Sequence, residues 1–358
     1  MSHCTLPISL ISGKFLGSRD RLVVAGNSPS SNVGIQYAVQ DEDNGESFFQ
    51  NKCELLFPGT CTAMEICGVS RLAKSFIAVA NADQGCSGNS SIALIDVETD
   101  IFEARMKHSK SLQSVSSSSY TSLSFYSDQE ILAAATDSGL VILWDLYADK
   151  EIRRFTADSC GLTKLEFTRA GQLLTCGQST SAQLHIWDVR TSLYSSSMSS
   201  LVPSDSPSNV RVSAVKCYRH PKSSMETQSQ PHLYYSSISS QSIYNKIICG
   251  TSRGSIAIWD LRSEVVSEFQ TYSPQSTVTA VLAHPWRQDL LISASSTGEI
   301  KSSDLLKLQD GNNLNFESND DLIVSEPGEF TSIDCDRDSG MLLAVSALGG
   351  LWRLQLEK

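Results

Sequence analysis

The dipeptide Trp-Asp closes an apolar run three times in this chain, in "LVILWDL" (140–146), "QLHIWDV" (183–189) and "SIAIWDL" (255–261). Trp144 and Trp187 stand 43 residues apart, whereas Trp187 and Trp259 stand 72 apart. The first spacing fits a unit of about 40–45 residues, and the second fits the same unit enlarged by about thirty. Residues 220–245, "HPKSSMETQSQPHLYYSSISSQSIYN", account for the difference and read as a polar, serine-rich surface loop.

Each unit repeats a strand, a turn, a second apolar strand, a tight turn and a third strand. The clearest example is "YTSLSFY", "EILAAAT", the turn Asp137-Ser138-Gly139 and "LVILWDL". Similar triplets are "LTKLEF / QLLTCG / QLHIWDV", "VSAVKCY / KIICG / SIAIWDL", "VTAVLAH / LLISAS / EIKSSDL" and "FTSIDCD / MLLAVSA / GLWRLQL". Upstream, "TAMEIC / SFIAVA / SIALIDV" and "RLVVAG / VGIQYAV" bring the units to seven. Several strands are apolar without polar alternation, which requires burial on both faces. Blades wedged between two neighbours meet that requirement, so the pattern predicts one seven-bladed β-propeller over residues 1–358, with four-stranded antiparallel blades. The last unit, "GLWRLQLEK", stops one strand short, and the unassigned stretch "TLPISLI" (5–11) is expected to supply that strand and close the ring.

Alternation in "QLHIWDVR" puts Gln183, His185 and Trp187 on one face and Leu184 and Ile186 on the other. Trp187 is then expected to fill space between blades, where full burial of an aromatic is worth about 1.5–3 kcal/mol. The motif degenerates to Ile95-Asp96 and Ser303-Asp304 in other units, which a packing position tolerates and a catalytic one does not. Trp144, Asp145, Trp187, Asp188, Trp259, Asp260 and Trp352 are therefore assigned structural roles.

Composition narrows the function. A net charge of −11 and a pI near 5.0 argue against nucleic acid as the main partner, with "KEIRRF" (150–155) the only dense basic stretch, read as an exposed strand. No apolar run approaches the roughly 20 residues of a membrane helix, and the N-terminal stretch does not have the form of a signal peptide. Ten scattered cysteines lack a Cys-x-x-Cys pair, and six histidines lack ligand spacing, so neither a disulfide framework nor a metal site is expected. "GTSRGS" (250–255) reads as a hairpin turn and not a phosphate cradle, and no Gly-x-Ser-x-Gly elbow is present. The expectation is no catalytic residue, no cofactor and no metal.

The Trp-Asp endings, the Asp137-Ser138-Gly139 turn and the His220-Pro221 and His284-Pro285 pairs resemble the WD-repeat (WD40) β-propellers along essentially the whole chain. The order of units four to six is most similar to that of WD-repeat nucleoporins of the Y-shaped outer-ring complex of the nuclear pore. That resemblance implies a non-enzymatic scaffold for pore assembly and nucleocytoplasmic transport. It also implies a helical-solenoid nucleoporin as partner, a location at the nuclear envelope, and kinetochores in mitosis. Arg190 and Arg262 give Trp-Asp-x-Arg twice, which resembles the element by which some propellers dock on the adaptor of cullin-type ubiquitin ligases; this makes a substrate receptor the alternative. A WD-propeller hydrolase is the third reading. Serine tracts at 111–120, 192–208 and 220–245 are candidate phosphorylation segments, with Ser206-Pro207 in the form that proline-directed kinases read.

Overall fold

The computed structural model describes residues 2–5, 9–16, 21–28, 32–40, 49–69, 74–82, 90–99, 104–115, 118–168, 170–178, 183–189, 214–219, 233–241, 246–284, 286–287, 289–304, 321–336 and 338–356. Strand β1 (Ser2–Thr5) comes first. Blade 1 is β2 (Ser9–Phe15), β3 (Arg21–Asn27), β4 (Asn32–Gln40) and β5 (Phe49–Pro58). Blade 2 is β6 (Thr60–Val69), β7 (Lys74–Ala82), β8 (Ser90–Thr99) and β9 (Ala104–Val115). Blade 3 is β10 (Tyr120–Tyr126), β11 (Ile131–Thr136), β12 (Leu140–Asp145) and β13 (Lys150–Thr156). Blade 4 is β14 (Leu162–Phe167), β15 (Gln172–Gly177), β16 (Gln183–Asp188) and β17 (Ala214–Arg219). Blade 5 is β18 (Tyr235–Gln241), β19 (Lys246–Thr251), β20 (Ser255–Asp260) and β21 (Val265–Gln270). Blade 6 is β22 (Val278–Ala283), β23 (Leu290–Ser295), β24 (Glu299–Asp304) and β25 (Asp321–Ser325). Blade 7 is β26 (Phe330–Asp336), β27 (Met341–Ser346) and β28 (Gly350–Gln355), with β1 paired antiparallel along β28 as its outermost strand. The chain is a seven-bladed β-propeller of four-stranded antiparallel blades, with no helix among the described residues.

Burial falls from the middle of each blade to its edge. Strands β11 and β27 are buried at every position, which explains why "ILAAAT" and "MLLAVS" carry no polar alternation. The outermost strand β13 is buried at none. Apolar side chains gather in seven clusters, each shared by two adjacent blades. Between blades 2 and 3, Ile92 and Leu94 meet Leu132, Ile142 and Trp144. Between blades 7 and 1, Leu343, Val345 and Leu351 meet Leu10, Leu22 and Val24, so the ring closes with the same kind of contact it uses elsewhere.

Every innermost strand carries a β-bulge against its neighbour, at Ile11, Thr62, Thr121, Thr163, Ser236, Thr279 and Thr331. Six of these seven are Ser or Thr. Three of these hydroxyls reach the next blade: Thr163 donates to the Tyr235 carbonyl at 2.6 Å, Ser236 to that of Val278 at 2.6 Å, and Thr331 to that of Leu10 at 3.3 Å. The bulge turns one residue out of the ladder and so frees its side chain for this stitch. The tight turns after the second strands also repeat. The hydroxyls of Thr136, Thr251 and Ser295 accept the backbone N–H four residues on, at 3.0, 3.2 and 3.2 Å. Gly139 closes the first of these turns with φ of 82°, and a Cβ there would meet the Asp158 carbonyl at 2.1 Å.

Two boundaries differ from those expected. The ring-closing strand is Ser2–Thr5, whereas residues 9–11 of "TLPISLI" begin the innermost strand of blade 1. The expected loop at 220–245 contains a strand, Tyr235–Gln241, which is the innermost strand of blade 5; "VSAVKCY" instead contributes β17, the outermost strand of blade 4. The serines that made "YSSISSQ" look like a loop are held inside the ring, Ser236 by Val278 and Ser240 by Glu166. Residues 220–232 and 242–245 lie outside the described residues.

Removing residues 1–5 strips β28 of its antiparallel partner and opens an apolar edge. The melting temperature is expected to fall by several degrees, with concentration-dependent aggregation on heating, measured by calorimetry and light scattering.

Candidate functional site

The ladder registers put Trp144 opposite Leu132, Trp187 opposite Leu173 and Trp259 opposite Ile247, one equivalent position in three blades. Ile95, opposite Ile77, and Ser303, opposite Leu291, hold that position in blades 2 and 6. Each tryptophan is nearly buried and faces the preceding blade. Trp144 joins the cluster shared with blade 2, Trp187 that shared with blade 3, and Trp259 that shared with blade 4. Two of the three have anchored polar ends. The Trp187 indole N–H donates to Thr175 Oγ1 at 2.9 Å while its ring lies 4.9 Å from that of Phe155. The Trp259 indole donates to the Tyr235 hydroxyl at 2.8 Å and its ring lies 5.1 Å from Tyr218.

Asp145 and Asp260 serve the turns that follow them. Asp145 Oδ1 accepts the Ala148 N–H at 2.7 Å, and Asp260 Oδ1 accepts those of Arg262 at 2.8 Å and Ser263 at 3.4 Å. The Arg262 N–H, ahead of the other donors, holds the Asp260 carboxyl below the usual range. Trp352 corrects one expectation: Leu354, opposite Leu342, takes the Trp-Asp position in blade 7, and Trp352 stands two residues earlier, opposite Ala344. Its indole donates to Glu326 Oε2 at 2.6 Å. Arg262 is exposed, and its side chain has no ion-pair partner among the described residues. Arg190 and Ser206 lie outside the described residues.

The innermost strands surround a central channel of about 710 Å³ whose charged lining includes Lys14, Glu65, Lys164, Glu166 and Asp334. An innermost strand is a sheet edge, so alternate backbone N–H groups lack a ladder partner. Neighbouring blades supply one. Asp334 Oδ2 of blade 7 accepts the Phe15 N–H at 2.9 Å, Ser124 Oγ of blade 3 accepts that of Phe167 at 3.1 Å, and Glu166 Oε1 of blade 4 accepts that of Ser240 at 3.0 Å. These three acceptors occupy the same register in their strands. Glu65 pairs with the Lys14 ammonium at 2.8 Å. Burial pulls the Lys14 ammonium down, but Glu65 and then Asp334 outweigh it and hold the group above its ordinary range. Burial pushes the Glu166 carboxyl up against the opposing hydrogen bonds from Ser240, and burial followed by the nearby Lys14 charge pulls Lys164 down. His284 Nδ1 is turned to its own loop, accepting the Arg287 N–H at 3.0 Å. Chemically, these channel groups fasten blade to blade. The caps escaped sequence reasoning because donor and acceptor are 74 residues apart for Ser240 and Glu166, and 319 for Phe15 and Asp334.

With the geometry in place, two similarities bear on function. A family profile described as the nucleolar protein 10-like, N-terminal domain β-propeller matches residues 148–349, more than half of the chain. The periodic tryptophan protein 2 homolog of Caenorhabditis elegans is 22% identical over 254 residues, 69% of this chain and 23% of that relative. The chain thus spans less than a quarter of the length of this curated relative. The expected nuclear-envelope location, with its kinetochore corollary, is corrected by these matches: the family is described as nucleolar, and the relative is not named as a nucleoporin.

Two measurements follow. Trp187→Ala empties an interface between blades and is expected to destabilise by about 3–5 kcal/mol, while Trp259→Phe, which removes the indole donor to the Tyr235 hydroxyl, costs about 1–3 kcal/mol in denaturant titration. Glu166→Gln tests the channel. A carboxyl held above its unfolded range binds its proton more tightly when folded, so it adds stability as pH falls through the folded value and withdraws it as pH rises. The variant keeps an acceptor for Ser240 yet cannot titrate. Its stability relative to the parent is therefore expected to decline as pH falls from neutrality toward the carboxylate range.

Proposed function

The chain belongs to the nucleolar protein 10-like β-propeller family, and from that premise we propose that it works as a non-catalytic docking scaffold in the nucleolus, the compartment where ribosomal subunits are assembled. The carrying observation is the channel. Glu65, Glu166 and Asp334, three of the carboxylates that line it, are each engaged with an adjacent blade. What the fold presents to other molecules is a ring of loops and outermost strands held in fixed relation by packed interfaces, so partners bind without a large ordering cost. Arg262, exposed and without an ion-pair partner among the described residues, favours a second reading, docking on a cullin-type ligase adaptor together with Arg190.

One experiment separates these. The full-length protein, tagged and expressed at native level, is expected to concentrate in nucleoli and to recover nucleolar assembly proteins on affinity purification. A rim of signal at the nuclear envelope would overturn the nucleolar reading. Recovery of a cullin adaptor, lost on Arg262→Glu, would replace it with the second.

A further inference from the structure

Three consecutive blades place a cation at one register of their outermost strands. Lys110 on β9 lies opposite Leu94, Arg153 on β13 opposite Leu143, and Lys216 on β17 opposite Ile186; each of these partners directly precedes the Trp-Asp position. At the same register blade 1 carries Cys53 and blade 5 carries Ser267, opposite Tyr37 and Ile258. Lys107, Lys150, Arg154 and Arg219 enlarge the row, and among the described side chains of β9, β13 and β17 the only carboxylate is Glu151. The whole chain, these cations included, carries a net charge of −11, so this arc of the rim is opposite in sign to the rest.

Part of the row is used internally. Lys110 pairs with Asp149 in the following blade's turn, Lys216 with Glu264 at 2.8 Å, and Arg154 with Glu151 at 2.9 Å. Such exposed pairs are worth little and exchange readily. Lys107, Lys150, Arg153 and Arg219 have no ion-pair partner among the described residues. Lys150 and Arg153 lie on β13 itself and Lys107 and Arg219 on the outermost strands of the adjacent blades; β13 is a proline-free strand of seven residues whose outer edge bonds to no other described strand.

We propose that the outer edge of blade 3, framed by the outermost strands of blades 2 and 4, docks an extended acidic peptide segment of a protein partner. The peptide adds a strand along β13 through backbone hydrogen bonds, and its carboxylates meet the unpaired cations. A nucleic acid fits less well. Its phosphates extend the negative charge beyond the arc onto an acidic surface, and the described aromatics of these strands, Phe155 and Tyr218, are half-buried and buried, so no stacking platform is offered. This inference rests on the scaffold reading, but the two fail separately because the test needs only the purified chain.

Fluorescence anisotropy of the full chain is measured with a labelled peptide alternating glutamate and valine. The comparison probes are its lysine counterpart, a version with prolines replacing the valines, and a single-stranded oligouridylate. The glutamate–valine peptide alone is expected to bind, with affinity falling steeply with salt and dropping at least about tenfold in Arg153→Glu/Lys150→Glu. Arg21→Glu, on the first strand pair of blade 1, is expected to leave binding unchanged. Lys107→Glu/Arg219→Glu, which leaves β13 untouched, is expected to weaken binding in the same direction and covers the case in which the β13 variant melts early. Equal binding of the proline peptide, binding indifferent to both pairs of reversals, or tighter binding of the oligouridylate would each overturn the proposal.

Discussion

Apolar packing across the seven gaps between blades is the constraint from which the rest of this structure follows. A four-stranded sheet with strands such as β11 or β27 in its middle has two apolar faces and cannot leave either in water. Each blade therefore needs a neighbour on both sides, and only a closed ring gives every blade two. The clusters show the result: no single core dominates, and each gap holds its own set of side chains. The tryptophans are the largest pieces in three of those gaps, but Leu354 and Ile95 hold the position elsewhere, so the gap's volume matters more than the residue's identity.

Closing the ring creates a polar problem at its centre. Seven innermost strands turn their unpaired edges toward one channel, where a backbone N–H without a partner would be costly. The chain solves this with side chains borrowed from the preceding blade, Asp334 for Phe15, Ser124 for Phe167 and Glu166 for Ser240, and with the bulge hydroxyls that reach forward to the next blade. In both sets the side chain lies on the earlier blade and its backbone partner on the next, one set accepting N–H groups and the other donating to carbonyls, so each of the joints they span is tied both by packing and by hydrogen bonds. Lys14, Glu65, Glu166 and Asp334 belong to this fastening. Glu166 accepts burial and a raised carboxyl range in return for an anchored strand edge.

Legibility in the sequence follows the same division. The second and third strands of each blade could be read because burial on both faces leaves an apolar run, and the Trp-Asp ending fixed their phase. Five of the seven innermost strands were legible as well, and those of blades 1 and 5 were not. Their polar side chains satisfy partners contributed by another blade, and in β18 a serine-rich composition that signals a loop locally is what a crowded channel edge requires. Trp352 misled for the opposite reason: a tryptophan in the right strand stands two positions from the right register, which only the pairing with Ala344 reveals. Strand β1 was sensed as a missing edge, but its boundary was not visible, because four residues carry too little pattern to separate them from the strand of blade 1 that follows.

The outer rim is where this architecture has freedom to vary. Innermost edges are committed to neighbouring blades and middle strands to the gaps, so substitutions there disturb the ring; outermost strands touch the ring on one side only. Blades 2, 3 and 4 have used that freedom to collect Lys110, Arg153 and Lys216 at one register, while blades 1 and 5 have not. A local reversal of sign on an acidic body has a physical consequence beyond the contacts it makes. The surrounding field repels polyanions approaching from a distance, and only a short negative segment that can settle within the arc escapes that repulsion. Because the arc spans adjacent blades, its geometry is set by the interfaces beneath it, and the packing that stabilises the ring also fixes the spacing of the cations that a partner would meet.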